Sequence, residues 1–250
     1  MSTLRKIVIV GATSAMAEHC ARLWLQQGVE EMVLIGRDVQ RTDRVAADLR
    51  VRAPQCRIDT IISDFLQPDA IARTVDKACA SISPDIVLLA HGSLPEQADC
   101  QQDLQYNRNA LEVNAISPVL FAEGFAQHLE QAGQVKLVLI GSVAGDRGRK
   151  SNYVYGAAKG LVTRYAQGLQ HRFAGSRVQV VLVKPGPTDT PMTAHLKSSG
   201  AKLASVEQVA GKIVSGVARG KAVIYAPAKW QLIMLIIRHL PCFIFNKLDI

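Results

Sequence analysis

Residues 6–18 read KIVIVGATSAMAE, a run of apolar residues that ends at Gly11 and leads into a segment with helical periodicity. A tight turn between a buried strand and a helix points backbone amides and the positive end of the helix dipole at an anion. Turns of this kind often carry two more glycines, in a G-x-x-x-G-x-G spacing, and here those positions hold Ala15 and Ala17. One added methyl group at each position still permits close packing and favours the helix by roughly 1 kcal/mol. We interpret the stretch as a phosphate-binding turn; the alternative is an ordinary strand-to-helix turn.

Six further runs rich in Val, Ile and Leu follow along the chain: EMVLIG, CRIDTIIS, DIVLLA, VKLVLIGS, VQVVLVKPG and AVIYAP. Most are apolar on consecutive residues, which is typical of parallel strands that are buried on both faces. Segments with helical periodicity separate them, at residues 17–27, 42–51, 69–80, about 100–131, 153–174 and 206–218. This alternation predicts a single-domain α/β fold, a doubly wound parallel sheet of about seven strands with helices on both faces.

The composition of the chain indicates which cellular compartment and which kinds of binding partner to expect. The chain of 250 residues is 48% hydrophobic, which suits one well-buried domain. Its first residues lack the long apolar region of a signal peptide, so we expect a cytoplasmic protein. The five cysteines are scattered and have no histidine at metal-ligand spacing, so we predict no disulfide and no metal site. The net charge of +8 occurs in short, dispersed clusters and only 5% of residues are aromatic, so we expect no nucleic-acid partner.

A tyrosine and a lysine at helical spacing are the first candidates for chemistry. In SNYVYGAAKG, residues 151–160, Tyr155 has Lys159 four residues later. Residues i and i+4 share one helix face, so the ammonium is expected to lower the pKa of the phenol from about 10 toward neutrality and make it a general acid or base. Tyr153 has no such partner and is predicted to pack or to face the substrate. Ser142 precedes Tyr155 by 13 residues, at the carboxyl end of a predicted strand, where open α/β sheets bind their ligands.

The end of the second predicted strand bears on the choice of dinucleotide. Gly36 stands where an acidic residue would bind the ribose hydroxyls of NAD, and Arg37 follows it. A guanidinium can pair with a 2′-phosphate, so we expect NADP(H), with NAD(H) the less favoured cofactor. The alternative is a solvated Arg37, with Asp38 as the N-cap of the next helix.

In motif content, order and spacing, the chain resembles the short-chain dehydrogenase/reductase (SDR) family over nearly its whole length. The resemblance rests on the turn at Gly11, Asp64 after the third predicted strand, AHG at residues 90–92, Asn114 in LEVNAISP, Ser142, Tyr155 with Lys159, and PGPTDT at residues 185–190. It implies a Rossmann fold over residues 1–228, including a substrate loop at 187–205. It also implies NAD(P)-dependent oxidoreductase activity.

The resemblance implies roles for individual residues. Ser142 would hydrogen-bond the substrate carbonyl or hydroxyl, Tyr155 would exchange the proton, and Lys159 would bind the nicotinamide ribose and tune the tyrosine. Asn114 would hold a water in the proton relay, and Asp64 would hydrogen-bond the adenine. The backbone of Thr188 and the side chain of Thr190 would hold the carboxamide. The full set of expected cofactor-binding residues is Gly11, Thr13, Ser14, Ala15, Met16, Arg37, Asp64, Phe65, Ala90, His91, Gly92, Tyr155, Lys159, Pro185, Thr188 and Thr190.

The chain departs from the family pattern at residues 90–92, where Ala-His-Gly replaces the usual Asn-Ala-Gly, and at Ala15 and Ala17, which replace glycines. Within the family, GATSAMAE, VAGDRGRKSNYVYGAAKG and IMLIIRHLP look like the decaprenylphosphoryl-2-keto-ribose reductases. This resemblance implies a polyprenylphosphoryl-linked 2-keto-sugar or another lipid-like ketone as substrate. DRGRK, residues 146–150, would then meet a phosphate on the substrate; a solvated loop is the equal alternative.

The last segment, residues 229–250, is an apolar tail interrupted by Arg238, His239 and Pro241, too short and too charged to span a membrane. We expect it either in a membrane interface or between the subunits of a homodimer or homotetramer. The sequence thus predicts an NADPH-dependent reductase that converts a ketone into a secondary alcohol, in the cytoplasm or peripherally on the inner face of the cytoplasmic membrane. The alternatives are a non-catalytic cofactor-binding protein and a membrane-docking partner subunit on the same fold.

Overall fold

A computed structural model describes residues 4–130, 133–194 and 201–248 of the chain. Its strands are β1 (Lys6–Val10), β2 (Glu31–Gly36), β3 (Arg57–Ile62), β4 (Ile86–Leu89), β5 (Val135–Ile140), β6 (Val178–Pro185) and β7 (Val223–Ala226). All are parallel and form one sheet in the order β3-β2-β1-β4-β5-β6-β7. The predicted doubly wound parallel sheet is therefore confirmed, and each apolar run of the sequence supplies one strand.

Helices cover both faces of the sheet. They are α1 (Ala15–Leu25), α2 (Val39–Arg52), α3 (Pro68–Cys79), α4 (Gln97–Gln102), α5 (Leu104–Leu111), α6 (Ser117–Leu129), α7 (Tyr153–Arg172), α8 (Val206–Ala218), α9 (Lys229–His239) and α10 (Cys242–Phe245). One face packs against α1, α2 and α8, and the other against α3, α6 and α7. In β1, Ile7 and Ile9 belong to the first layer and Val8 and Val10 to the second, and all four are fully buried. Burial on both faces is the physical reason why the strands are apolar on consecutive residues.

The prediction of one long helix over residues 100–131 is wrong. α4 ends at Gln102, and Asp103 begins a new helix because its side chain accepts hydrogen bonds from two backbone amides in the first turn of α5, at 2.8 and 3.2 Å. Aspartate is a favoured N-cap because it satisfies amides that have no partner within the helix. α5 then continues through a π-helical turn at Glu112–Ile116 into α6. Such turns often occur at functional sites.

The C-terminal segment packs against the end of the sheet through α9. The indole of Trp230 lies so close to Gly186 that a Cβ atom on this glycine would come within 1.9 Å of Nε1. Nη1 of Arg147 donates hydrogen bonds of 2.6 Å to the carbonyls of Ile237 and Leu240, at the end of α9. These contacts hold the tail against the loops at the carboxyl edge of the sheet.

The outer face of the tail remains exposed. Met234 is buried, whereas Leu232, Leu235, Ile236 and Phe243 have between 53% and 70% of their surface exposed. Within the described ranges, no helix combines the length and the apolar character that crossing a membrane requires. The division of the chain at residue 228 stays a prediction.

Candidate active site

The carboxyl ends of the central strands open into a cleft of about 1160 Å³, counted with its open mouth. The four predicted catalytic residues all line it: Asn114, Ser142, Tyr155 and Lys159. Of the other predicted cofactor-binding residues, the cleft brings together Ser14, Met16, Ala90, His91, Gly92, Pro185, Thr188 and Thr190. The parallel topology explains this convergence, because all the strands end at the same edge of the sheet.

The turn after β1 requires glycine at its first position. Gly11 has a φ of 79°, in the left-handed region, and a Cβ atom there would lie 2.6 Å from the backbone nitrogen of His91. α1 begins at Ala15, after Ser14, whose side chain makes no capping hydrogen bond. The first turn of α1 therefore has backbone amides that can donate to a phosphate group.

Asn114 lies in the π-helical turn and is fully buried. Its Oδ1 accepts a hydrogen bond of 2.8 Å from the backbone amide of Ser93, and its Nδ2 donates to the carbonyl of Ala110 at 2.9 Å. Oδ1 also approaches Gly92 closely, since a Cβ atom on this residue would lie 2.9 Å away. The π-helical turn thus fixes the loop after β4, which lines the cleft.

Lys159 is a buried cation at the base of the catalytic group. It is 3% exposed, and its Nζ donates a hydrogen bond of 3.1 Å to the carbonyl of Ile140, at the end of β5. Burial lowers the pKa of Lys159 to about 8, because the ammonium is poorly solvated there. The Nζ atom lies 5.8 Å from the centroid of the Tyr155 ring, so the helical spacing does bring the two side chains together.

The pKa of Tyr155 differs from the sequence-based expectation. Burial raises it above the usual value of a phenol and outweighs the lowering effect of a side-chain hydrogen bond with Ser142. The expected lowering by Lys159 is thus absent from this structure, because desolvation of the phenolate dominates. Ser142 is itself oriented by the protein, since its Oγ accepts a hydrogen bond of 3.1 Å from the amide of Ala144. Tyr153, by contrast, is 44% exposed and does not line the cleft.

Arg37 directly follows β2 and has an exposed side chain. Its guanidinium makes no hydrogen bond or ion pair with any described residue, and its Cζ lies 5.9 Å from the centroid of the Phe65 ring. Gly36 has a packing reason to lack a carboxylate, because a Cβ atom there would lie 1.9 Å from Oγ1 of Thr42. Asp38 is the N-cap of α2, with its Oδ1 accepting from the amide of Arg41 at 2.9 Å, as the alternative interpretation proposed.

Two of the predicted cofactor-binding residues after β3 and β4, Phe65 and His91, pack in the hydrophobic core. The rings of Phe65 and His91 pack edge to face, with centroids 4.9 Å apart, in a cluster with Phe121. Nε2 of His91 is 2.9 Å from Oγ of Ser117. Burial, followed by the charges of neighbouring cations, lowers the pKa of His91 to about 3, so its imidazole is neutral at physiological pH. Oδ1 of Asp64 accepts a hydrogen bond from the amide two residues later, at 2.8 Å.

The loop after β6 is held by its own threonines. Oγ1 of Thr188 donates to the carbonyl of Gly186 at 2.9 Å, and Thr190 forms a reciprocal capping arrangement with Thr193. Both Thr188 and Thr190 line the cleft, as expected of residues that contact a cofactor. Residues 195–200 of the predicted substrate loop lie outside the described residues.

DRGRK divides into structural and cleft-lining residues. Asp146 forms a buried ion pair with Lys184 and accepts a hydrogen bond of 2.8 Å from the hydroxyl of Tyr225. Arg147 holds the end of α9 and lies over the ring of Phe245, with Cζ 3.8 Å from the ring centroid. Of the four charged residues of DRGRK, only Arg149 lines the cleft.

Sequence reasoning missed two polar residues that line the cleft beside Arg149. Gln97 begins α4, and Asn152 precedes α7. Asn152 lies in the stretch SNYVYGAAKG, but neither residue has a partner at a spacing that would mark it as functional. Their positions depend on a contact between two helices, described below.

The chain is similar to proteins of a known family. The model of the short chain dehydrogenase family matches residues 5–200, most of the chain. The chain belongs to the short chain dehydrogenase family. The resemblance predicted from the sequence motifs is therefore confirmed, and this short-chain dehydrogenase is an oxidoreductase of that type.

Individual relatives cover nearly all of this short-chain dehydrogenase. It is 29% identical over 246 residues to an uncharacterized oxidoreductase in the mprA 5′ region of Streptomyces coelicolor, covering 98% of this chain and 96% of that one. It is 27% identical over 211 residues to a cis-4-hydroxycyclohexanecarboxylate dehydrogenase of Sinomonas cyclohexanicum, covering 84% and 83%. The solved structure of a short chain dehydrogenase from Burkholderia cenocepacia in complex with NADP has a TM-score of 0.83 at 18% identity and covers 100% of both chains.

Proposed function

We propose that this short-chain dehydrogenase reduces a ketone to a secondary alcohol with NADPH. The observation that carries the proposal is that Ser142, Tyr155 and the buried Lys159 line one cleft. Both hydroxyls can donate to a substrate carbonyl oxygen. When bound, NADPH would supply the hydride.

The protonation states of these residues suit a reduction. Because burial raises its pKa, Tyr155 holds its proton at neutral pH and is available as a general acid. As negative charge develops on the substrate oxygen, Tyr155 transfers its proton and Ser142 remains as a hydrogen-bond donor. Lys159, with a pKa of about 8, is mostly protonated at neutral pH and stabilises the phenolate that remains.

Three features of the chain fit an NADP-type dinucleotide. The turn at Gly11 leaves no room for a side chain, the first turn of α1 has no side-chain cap, and the guanidinium of Arg37 has no ionic partner among the described residues. A pyrophosphate fits the helix terminus and a 2′-phosphate fits the guanidinium. The NADP complex of the Burkholderia cenocepacia protein supports the same choice.

The proposed activity is tested by following NADPH consumption with a panel of ketones and NADP⁺ reduction with the corresponding alcohols. The panel includes small ketones, bulky ketones and polyprenylphosphoryl keto-sugars. We expect NADPH-dependent reduction of at least one member. NADPH binding without turnover of any member would contradict the proposal and favour the non-catalytic alternative.

Cofactor selectivity is expected to depend on Arg37. Replacing it with alanine removes a charge-assisted hydrogen bond to the 2′-phosphate and should weaken NADPH binding by about 1.5–3 kcal/mol, roughly 10- to 150-fold in Kd. NADH, which lacks this phosphate, should bind nearly as before. The matched control is Arg44→Ala, which removes the same charge from an exposed position of α2. Equal affinities of the unmodified protein for NADPH and NADH would refute the preference.

We also propose that the substrate is a lipid-like ketone, such as a polyprenylphosphoryl-linked 2-keto-sugar, and that the tail lies in an anionic membrane interface. The exposed apolar face of α9 supports this, as do the exposed cations Lys229, Arg238 and Lys247 that flank or interrupt the tail. Trp230 places this surface beside the loop that lines the cleft. The alternative occupant of the face is a second subunit of a homodimer or homotetramer.

The tail is better tested by substitution than by truncation, because truncation after Ala228 would also remove Trp230 from Gly186. Changing Leu232, Leu235 and Ile236 to serine should abolish sedimentation with anionic vesicles while leaving the oligomeric mass and the reduction of a water-soluble ketone unchanged. The matched control changes Val39, Val51 and Leu104 to serine, which are 54%, 82% and 83% exposed and belong to α2 and α5. If the unmodified protein never binds vesicles and the tail variant becomes monomeric, the tail is a subunit interface.

A further inference from the structure

Four residues that line the cleft each have a buried polar atom with no hydrogen-bond partner among the described residues: Nδ1 of His91, Nε of Arg149, Nε2 of Gln97 and Oδ1 of Asn152. A buried polar group without a partner costs about 1–3 kcal/mol, so native proteins seldom leave one unpaired without a functional reason. The ring of His91 packs in the aromatic cluster with Phe65 and Phe121. The other three atoms belong to residues that line the cleft together with Ser142 and Tyr155. None of the three has a role in the proton transfer described above.

The three side chains are tied to the start of α7. The amide of Asn152 donates to the carbonyl of Arg149 at 3.1 Å, which closes a turn just before the helix. Oε1 of Gln97 accepts a hydrogen bond of 3.1 Å from the amide of Val154. This contact fixes the orientation of the Gln97 amide and leaves its Nε2 as a free donor. The group therefore lies at the start of the helix that carries Tyr155.

The charge of the group is positive. Arg149 has no hydrogen bond or ion pair from its side chain to any described residue, and its partial burial lowers its pKa by desolvation. The one carboxylate lining the cleft within the described residues is that of Glu96, which is exposed. The amino-terminal end of α7 adds positive potential. A desolvated guanidinium with free donors favours a carboxylate or phosphate over a neutral group.

We propose that Arg149 and Gln97 form a subsite for an anionic group of the substrate, while Ser142 and Tyr155 hold its carbonyl. The inference rests on the proposed ketone reduction and narrows its substrates to oxo acids or oxo phosphates. Asn152 completes the subsite as an acceptor for a substrate hydroxyl or, with its amide turned over, as a further donor.

The test compares substrates that differ only in the anionic group. Acetoacetate and levulinate are each paired with their methyl esters, and dihydroxyacetone phosphate with dihydroxyacetone. In the full-length protein with NADPH, we expect kcat/KM to be about tenfold or more higher for at least one anion than for its neutral partner, mainly through a lower KM. The carboxylate and phosphate pairs show which anion the subsite takes.

Variants then assign the preference to the subsite. Arg149→Gln should reduce the ratio of kcat/KM between the anion and its neutral partner about 10- to 100-fold, and Arg149→Lys should retain part of it. Gln97→Glu preserves the acceptor for Val154 but replaces the donor with a negative charge, so it should abolish or invert the preference. Arg164→Gln, which removes an exposed arginine from α7, is the matched control and should leave the ratio unchanged.

The subsite and the proposed activity can fail separately. Reduction of the neutral ketones with no preference for any anion, or a preference that survives Arg149→Gln, overturns the subsite and leaves the reductase standing. If no ketone is reduced, the proposed function fails, and calorimetric titration of levulinate and dihydroxyacetone phosphate still decides the subsite. Tighter binding to the unmodified protein than to Arg149→Gln supports it, and equal or absent binding overturns it.

Discussion

Replacement of Tyr155 by phenylalanine is expected to lower kcat for ketone reduction by two to four orders of magnitude, the usual range for loss of a general acid. The Tyr155 hydroxyl, which shares the cleft with Ser142, is the proton source, and the phenylalanine ring keeps the packing of the cleft. NADPH binding, measured by fluorescence titration, should remain within a few-fold, because the effect is on the chemical step.

Tyr153→Phe is the internal control for this prediction. Tyr153 occupies the same helix but is 44% exposed and does not line the cleft, so its loss should change kcat by less than about threefold. Comparable losses in the two variants, or full activity of Tyr155→Phe, would show that another group supplies the proton.

Asp146→Ala is expected to reduce the free energy of unfolding by about 3–5 kcal/mol, because it leaves the ammonium of Lys184 buried without a counter-ion. The two side chains are only 3% and 5% exposed, and the hydroxyl of Tyr225 would lose its acceptor as well. The measurement is a denaturant titration followed by circular dichroism.

Two further variants test whether the loss of stability comes from the unpaired buried charge. Asp76→Ala removes a carboxylate that is 67% exposed and paired with His128, so it should cost no more than about 1 kcal/mol. The double variant Asp146→Leu with Lys184→Met removes both buried charges and should recover much of the loss. If Asp146→Ala is no more harmful than Asp76→Ala, the buried pair does not hold this loop in place.

The strands could be predicted from sequence because their burial leaves a direct mark. In β1 and β2, consecutive apolar residues reflect helices packed on both faces, and no long-range information is needed to recognise them. α8 begins at Val206 and ends at Ala218, as predicted, because Ser205 caps it and its apolar spacing is regular. The break between α4 and α5 at Asp103 is not evident from the sequence, because the apolar pattern continues across it. Aspartate is a favoured N-cap residue, but only the structure shows that Asp103 caps a new helix.

The candidate site could be predicted only where spacing determines contact. Lys159 lies near Tyr155 because both are on one helix face, but burial controls the pKa of the phenol and depends on distant parts of the chain. The unpartnered Arg149 is likewise a property of the folded chain, since a sequence does not show which carboxylates fail to reach a guanidinium. The contact of Gln97 with Val154 joins two helices that no local pattern connects.

The contacts of Arg147 link the tail to the loop after β5, so we expect the two segments to be kept or lost together in evolution. Arg147, five residues after Ser142, donates hydrogen bonds to the last carbonyls of α9 and lies over the ring of Phe245 in α10. Deleting α9 and α10 would therefore leave this arginine without these acceptors, in the loop that begins at Ser142. Relatives that lack the tail are therefore expected to have lost this arginine as well. If the tail is fused to another short-chain dehydrogenase, an arginine must also be introduced at the position of Arg147. Without it, the last carbonyls of α9 lose their hydrogen-bond donor, and we expect the last turn of the helix to unwind.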